Sequence, residues 1–195
     1  MSSPRQIFQF RLSLEGIRPE VWRRVAVPSD FTLAQLHRVI QAAMGWQDYH
    51  LHEFIVSGRT YGVPDPDYDI DRDVIDDRTA HLRDLNLSPG TRVAYLYDFG
   101  DNWRHIVELE DVLSVGSEAA IPVCLAGEHA TPPEDVGGVS GYEEFLEILA
   151  DPSHEEHEHM RSWVGRRFDP EYFSNEEANR RLRKAFRRQK AARLA

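Results

Sequence analysis

The chain has 195 residues, 41% hydrophobic and 29% charged, which suits a single soluble globular domain with a sizeable core. No apolar run approaches the roughly 18 residues needed to span a bilayer, and a lone cysteine, Cys124, excludes an internal disulfide framework and any cysteine-rich zinc site. The net charge of −10 is unevenly spread: eight of the 23 basic residues fall between Arg180 and Ala195, where there is no acid, leaving 15 against 33 acids elsewhere. Such a body repels nucleic acid, whereas the tail alone attracts it. The N-terminus carries no apolar signal core, so a cytoplasmic location is expected.

Residues 6–15 alternate Phe8, Phe10, Leu12 and Leu14 with polar neighbours, the pattern of a half-buried strand. A turn at Gly16–Pro19 leads to a returning strand through Val21, Val25 and Val27. Thr32-Leu33-Ala34-Gln35 reads as a capping box; Leu33, Leu36, Ile40 and Met44 follow at helical spacing, and Gly45 stops the helix. His50–Val56 is a third strand, continued near Tyr61. Pro64–Arg78 holds seven aspartates and no apolar period, which predicts a loop.

Thr91–Asp98 and Trp103–Glu110 are two further strands around the segment Tyr95-Leu96-Tyr97-Asp98-Phe99-Gly100-Asp101-Asn102-Trp103-Arg104-His105. A three-residue loop at Gly100–Asn102 opposes Phe99 to Trp103, Tyr97 to His105 and Tyr95 to Val107 on one apolar face. It sets Asp98 against Arg104 and Arg92 against Glu110 on the other. Asp98 and His105 then lie on opposite faces, which argues against a shared metal or proton. Asp101 is left at the loop tip, where an Asx-turn is the simplest role.

Glu118–Gly138 is rich in proline and glycine and is expected to be irregular. The last third is expected to be helical. Capping boxes are predicted at Ser140–Glu143 and Ser174–Glu177, with a helix opening at Asp151-Pro152 and running to about Val164. Strands first and helices after predict an α+β fold: a single domain over residues 1–195, with a mainly antiparallel sheet, a helix after the second strand, and a basic helix over 175–195.

His50-Leu51-His52 has a spacing that binds zinc or iron when a third ligand converges, with Glu134 and Asp135 as candidate carboxylates. The bland reading is a pair of structural histidines flanking Phe54. His154, His157 and His159 miss the HExxH spacing and read as a solvated acidic helix face. No nucleophile elbow or phosphate-binding glycine loop is present, and no cofactor is expected.

Several linked segments are recognisable together. Arg18-Pro19-Glu20-Val21-Trp22-Arg23-Arg24, Leu36-His37 with Met44-Gly45-Trp46, His50-Leu51-His52-Glu53-Phe54, Tyr97–His105, Pro132-Pro133-Glu134-Asp135-Val136-Gly137-Gly138 and Gly141-Tyr142 occur in that order. From about Ile7 to Leu182 the chain resembles the family named after an open reading frame of the root-inducing plasmid pRiA4b, also called TnpR-like passenger proteins of insertion elements. The resemblance implies a small α+β fold and an association with plasmids or mobile elements. Members often carry cysteines flanking the Pro-Pro-Glu-Asp segment, where this chain has Ala130 and Val136.

Three functional readings follow. The first is a non-enzymatic binding or accessory module, with an unknown protein or small ligand as partner, using Trp46, His50, His52, Asp101, Asn102, Glu134 and Asp135. The second is a metal-dependent hydrolase or nuclease built on His50, His52 and nearby carboxylates. The third is a DNA-binding accessory protein using Arg180, Arg181, Arg183, Lys184, Arg187 and Arg188.

Overall fold

The computed structural model describes residues 5–65, 73–115, 122–165 and 168–192. Eight strands form one sheet: β1 (Arg5–Leu14), β2 (Trp22–Pro28), β3 (His52–Val56), β4 (Arg59–Gly62), β5 (Val74–Asp76), β6 (Arg92–Tyr97), β7 (Trp103–Val115) and β8 (Val123–Glu128). Their order is β5-β4-β3-β6-β7-β1-β2-β8. Among the described residues four α-helices accompany them: α1 (Leu33–Met44), α2 (Gly138–Ala150), α3 (His157–Trp163) and α4 (Asn175–Ala192). No described helix is long and apolar enough to cross a membrane.

The alternation in β1 is observed: Phe8, Phe10, Leu12 and Leu14 are buried, and Gln9, Arg11 and Ser13 are less so. β1 pairs antiparallel with β2 on one side and with β7 on the other. On the polar face Arg24 of β2 makes a bidentate pair with Glu110 of β7 at 2.5 and 2.7 Å, and Gln9 of β1 donates to the same carboxylate. Across the barrier of these strands, α1 covers the apolar face. Its Thr32 hydroxyl accepts from Gln35 N and the Gln35 amide oxygen accepts from Thr32 N, while Gly45 closes the helix at φ 93°.

The expected fold class needs two corrections. The sheet is mixed, because β4 and β5 pair in parallel (Thr60↔Val74, Gly62↔Asp76). β5 lies inside the aspartate-rich stretch predicted to be a loop, of which residues 66–72 lie outside the described residues. Nor is the C-terminal third simply helical. Asp151 accepts from Ser153 N and Oγ instead of opening a helix, α3 begins only at His157, and 168–174 is non-helical. Ser140 lies within the first turn of α2, whose N-cap is Gly137 with no side-chain cap, so the predicted box there does not form. Ser174 Oγ does accept from Glu177 N at the start of α4.

β8 also falls within the segment expected to be irregular, where 118–121 lie outside the described residues. It forms because Cys124 pairs with Val25 of β2 and both are buried. Its outer backbone is occupied by α4: Asn179 donates to Cys124 O at 2.8 Å and accepts from Cys124 N at 2.9 Å. Between them, Arg23 is buried and donates to the carbonyls of Trp22, Ala43, Glu128 and His129 and to Thr131 Oγ1, with its guanidinium over the Phe173 ring. Burial lowers its pKa to about 10, so it remains a cation held by carbonyl dipoles.

Candidate functional site

The β6–β7 hairpin pairs Tyr97 with Trp103, Tyr95 with His105, Val93 with Val107 and Arg92 with Glu108. The expected register is therefore displaced by two residues, and the connection is the five-residue turn Asp98–Asn102. A shift of two keeps every side chain on its face, so Tyr95, Tyr97, Trp103 and His105 are buried as expected. Phe99 is not; it lies outside the ladder and is 41% exposed.

The polar pairs change too. Arg92 Nε meets Glu108 at 2.8 Å, and Arg104 donates to Asn102 Oδ1 rather than pairing with Asp98. Asp98 turns inward at φ 58°, where its Oδ1 accepts from Gly100 N at 2.9 Å and Asp101 N at 3.3 Å. Satisfying two turn amides outweighs one cross-strand ion pair, which would be exposed and worth about 0–1 kcal/mol.

This turn meets two distant segments. Trp46, just after α1, is buried, stacks on Tyr97 at 5.0 Å and donates its indole N–H to Pro132 O at 2.9 Å. Glu134 accepts from Gln47 N at 2.9 Å and from the Tyr97 hydroxyl at 2.6 Å. Burial and that carboxylate hold the Tyr97 hydroxyl protonated well above its ordinary range. Tyr97 Oη in turn accepts from Tyr49 N. Asp101 Oδ2 accepts from Gly137 N at 3.1 Å, and a Cβ on Gly138 would sit 2.4 Å from Asp101 O, so only glycine allows the two loops to close.

Trp46, Asp101, Asn102 and Glu134 are thus brought to one place but are committed to internal bonds. His50 and Asp135 are not. His50 packs edge-on against Tyr97, with Nε2 3.1 Å from Asp135 Oδ1 and 3.6 Å from Asp98 Oδ2. Neither contact is a hydrogen bond: the longer lies beyond hydrogen-bonding distance and the shorter lacks the alignment. Exposed Tyr49, Leu51 and Phe99 accompany these residues in sequence at the same junction. Glu134 and Asp135 also line a groove of about 520 Å³ together with Trp46, Trp163, Tyr172 and Phe173.

His52 parts company with His50. Its Nε2 lies 2.8 Å from Oδ2 of the buried Asp77, and its ring stacks on His37 at 3.5 Å with an interplanar angle of 6°. Burial lowers the His37 pKa. The neutral ring donates from Nε2 to Asp48 at 2.7 Å and accepts at Nδ1 from the Tyr95 hydroxyl at 2.8 Å, which itself accepts from Gln41. His52 therefore belongs to a core network between α1 and the sheet. Sequence reasoning did not find Asp77 or the place of Asp98; an Asp two residues before a glycine is an Asx-turn signal that would have located the latter.

The histidine-rich segment is partly buried: His157 Nδ1 lies 3.0 Å from Ile148 O and ties α3 to the end of α2, so the solvated-face expectation fails there. In α4, Arg181 donates to the carbonyls of Ala42 and Ala43 and caps α1. Phe186 stacks on Phe31 at 5.4 Å, and Leu182 is buried. Arg180, Arg183, Lys184 and Arg187 are exposed, while the Arg188 side chain lies outside the described residues.

The family model described as plasmid pRiA4b ORF-3-like protein matches residues 6–177. An uncharacterized protein, y4hQ of Sinorhizobium fredii (strain NBRC 101917 / NGR234), is 41% identical over 161 residues, covering 82% of this chain and 81% of its own. The crystal structure of a protein of unknown function, MM3350 from Methanosarcina mazei Go1, superposes with a TM-score of 0.81 at 41% identity, covering 89% of this chain and 97% of that one.

Proposed function

We infer, from the premise that this chain belongs to the plasmid pRiA4b ORF-3-like family, that it is a single-domain, non-enzymatic binding module acting as an accessory protein of plasmids or mobile elements. Its recognition surface is the junction of 46–51, 98–102 and 132–138. One observation carries this reading: three segments far apart in sequence are bolted together by internal hydrogen bonds, yet the junction leaves Tyr49, Leu51 and Phe99 exposed at 68%, 52% and 41%. Large apolar side chains held on a rigid frame suit a protein or ligand contact.

The test is affinity capture from a host extract with the wild-type chain and a Tyr49→Ser/Phe99→Ser variant of unchanged circular dichroism. The variant is expected to lose the specific partners. Recovery of the same proteins by both would overturn the reading. Asp101 is unsuitable for this purpose, because its carboxylate holds Gly137.

A further inference from the structure

We propose that His50, Asp98 and Asp135 form a mononuclear site for a divalent transition metal. One ligand atom of each lies within 4.8 Å of the other two. The His50 Nε2 distances of 3.1 Å to Asp135 Oδ1 and 3.6 Å to Asp98 Oδ2 fit donors on one ion. Metal–ligand bonds of about 2.1 Å set neighbouring donors about 3.0–3.5 Å apart.

Two further observations point to a ligand rather than a surface ion pair. His50 Nε2 is shielded from solvent and has no hydrogen-bond partner among the described residues. Asp98 is only 7% exposed, and its two oxygens are differently used: Oδ1 caps the turn, whereas Oδ2 faces His50 beyond hydrogen-bonding distance. A shielded imidazole nitrogen without a hydrogen bond, beside the carboxylate of a largely buried aspartate, is costly unless a cation joins them.

The frame around the site is fixed. Asp98 N donates to Leu51 O, Tyr97 Oη accepts from Tyr49 N, and Tyr97 and Gln47 hold Glu134 beside Asp135. One imidazole and two carboxylates suit Mn²⁺, Fe²⁺ or Zn²⁺, with remaining positions left to water or to an anionic oxygen of a ligand. His52, expected to be the second histidine of such a site, is replaced in it by Asp98.

The site lies within the junction proposed as the recognition surface but does not depend on that reading, and its test uses the metal alone. Tag-free, chelator-treated full chain is titrated with Mn²⁺, with the free ion followed by electron paramagnetic resonance, and separately with Zn²⁺ by calorimetry. One ion per chain is expected. Asp135→Asn and His50→Ala are each expected to weaken binding at least tenfold and to abolish the metal-dependent rise in melting temperature. Asp135 is 65% exposed on its side chain, so its variant tests the site without burdening the fold. Asp98→Asn keeps the oxygen that caps the turn while removing the charge and serves as a third variant. Absence of stoichiometric uptake by the wild type overturns the proposal. So does uptake unchanged in these variants, as binding at His154 and His159 would give.

Discussion

His105 is buried in the core, 1% exposed, with Nδ1 3.1 Å from Trp103 O, Nε2 without a partner among the described residues, and the Trp46 ring at 90° to its own. Burial lowers its pKa from 6.5 to about 4. Between those values the unfolded chain binds a proton that the native ring refuses, so stability falls as pH falls through that window. The slope is at most about 1.4 kcal/mol per pH unit for one such group. His37 is shifted in the same direction and adds to it. Urea midpoints at pH 7 and pH 4.5 are expected to differ less in His105→Phe than in the wild type; an equal difference would show that His105 does not contribute. That His105 faces the core was legible from alternation alone. His50 and Asp135 of the three-residue cluster were candidates from the sequence, but Asp98 was not, because alternation says nothing about a residue that leaves the ladder.

Among the elements, β1, β2, α1, β6 and β7 were readable because each carries a period of its own. β5 and β8 were not. Val74-Ile75-Asp76 is too short for a period and follows an aspartate run, and β8 lies where proline and glycine suggest loop. What makes β8 a strand comes from elsewhere: β2 pairs one edge, Asn179 of α4 occupies the other at Cys124, and Gly127 lets Arg23 and Phe173 approach. Asn179→Ala is therefore expected to cost about 1–3 kcal/mol and to raise hydrogen exchange at the Cys124 amide. Unchanged exchange there would refute the bridging role. The hairpin register erred by two because a polar partner for Arg92 exists at both Glu108 and Glu110, so charge matching alone does not choose.

At the scale of the molecule, the charge asymmetry has a structural partner. α4 is basic outside, yet Ala178 and Leu182 are buried and Phe186 stacks on Phe31. Deleting the tail would open the core, so loss of any activity on deletion would not distinguish contact from collapse. The cleaner comparison is Leu182→Ala, expected to cost about 2–5 kcal/mol, against simultaneous replacement of Arg180, Arg183, Lys184 and Arg187 by Gln, expected to change stability by about 1 kcal/mol or less. Denaturant melts of both variants decide this. Equal loss in the two would show that the exposed cations, not the apolar face, hold the helix.

The order β7-β1-β2 has a consequence for how the chain is made. β1 finds β2 within a few residues, but its other edge waits for β7, whose first residue is Trp103. At about 5–20 residues per second, a ribosome takes roughly 5–20 s to supply that partner. Throughout that interval the nascent β1–β2 hairpin presents an unpaired edge of backbone N–H and C=O groups beside the uncovered apolar face of Phe8, Phe10, Leu12 and Leu14, which makes this stretch the one where chaperone contact during synthesis matters most.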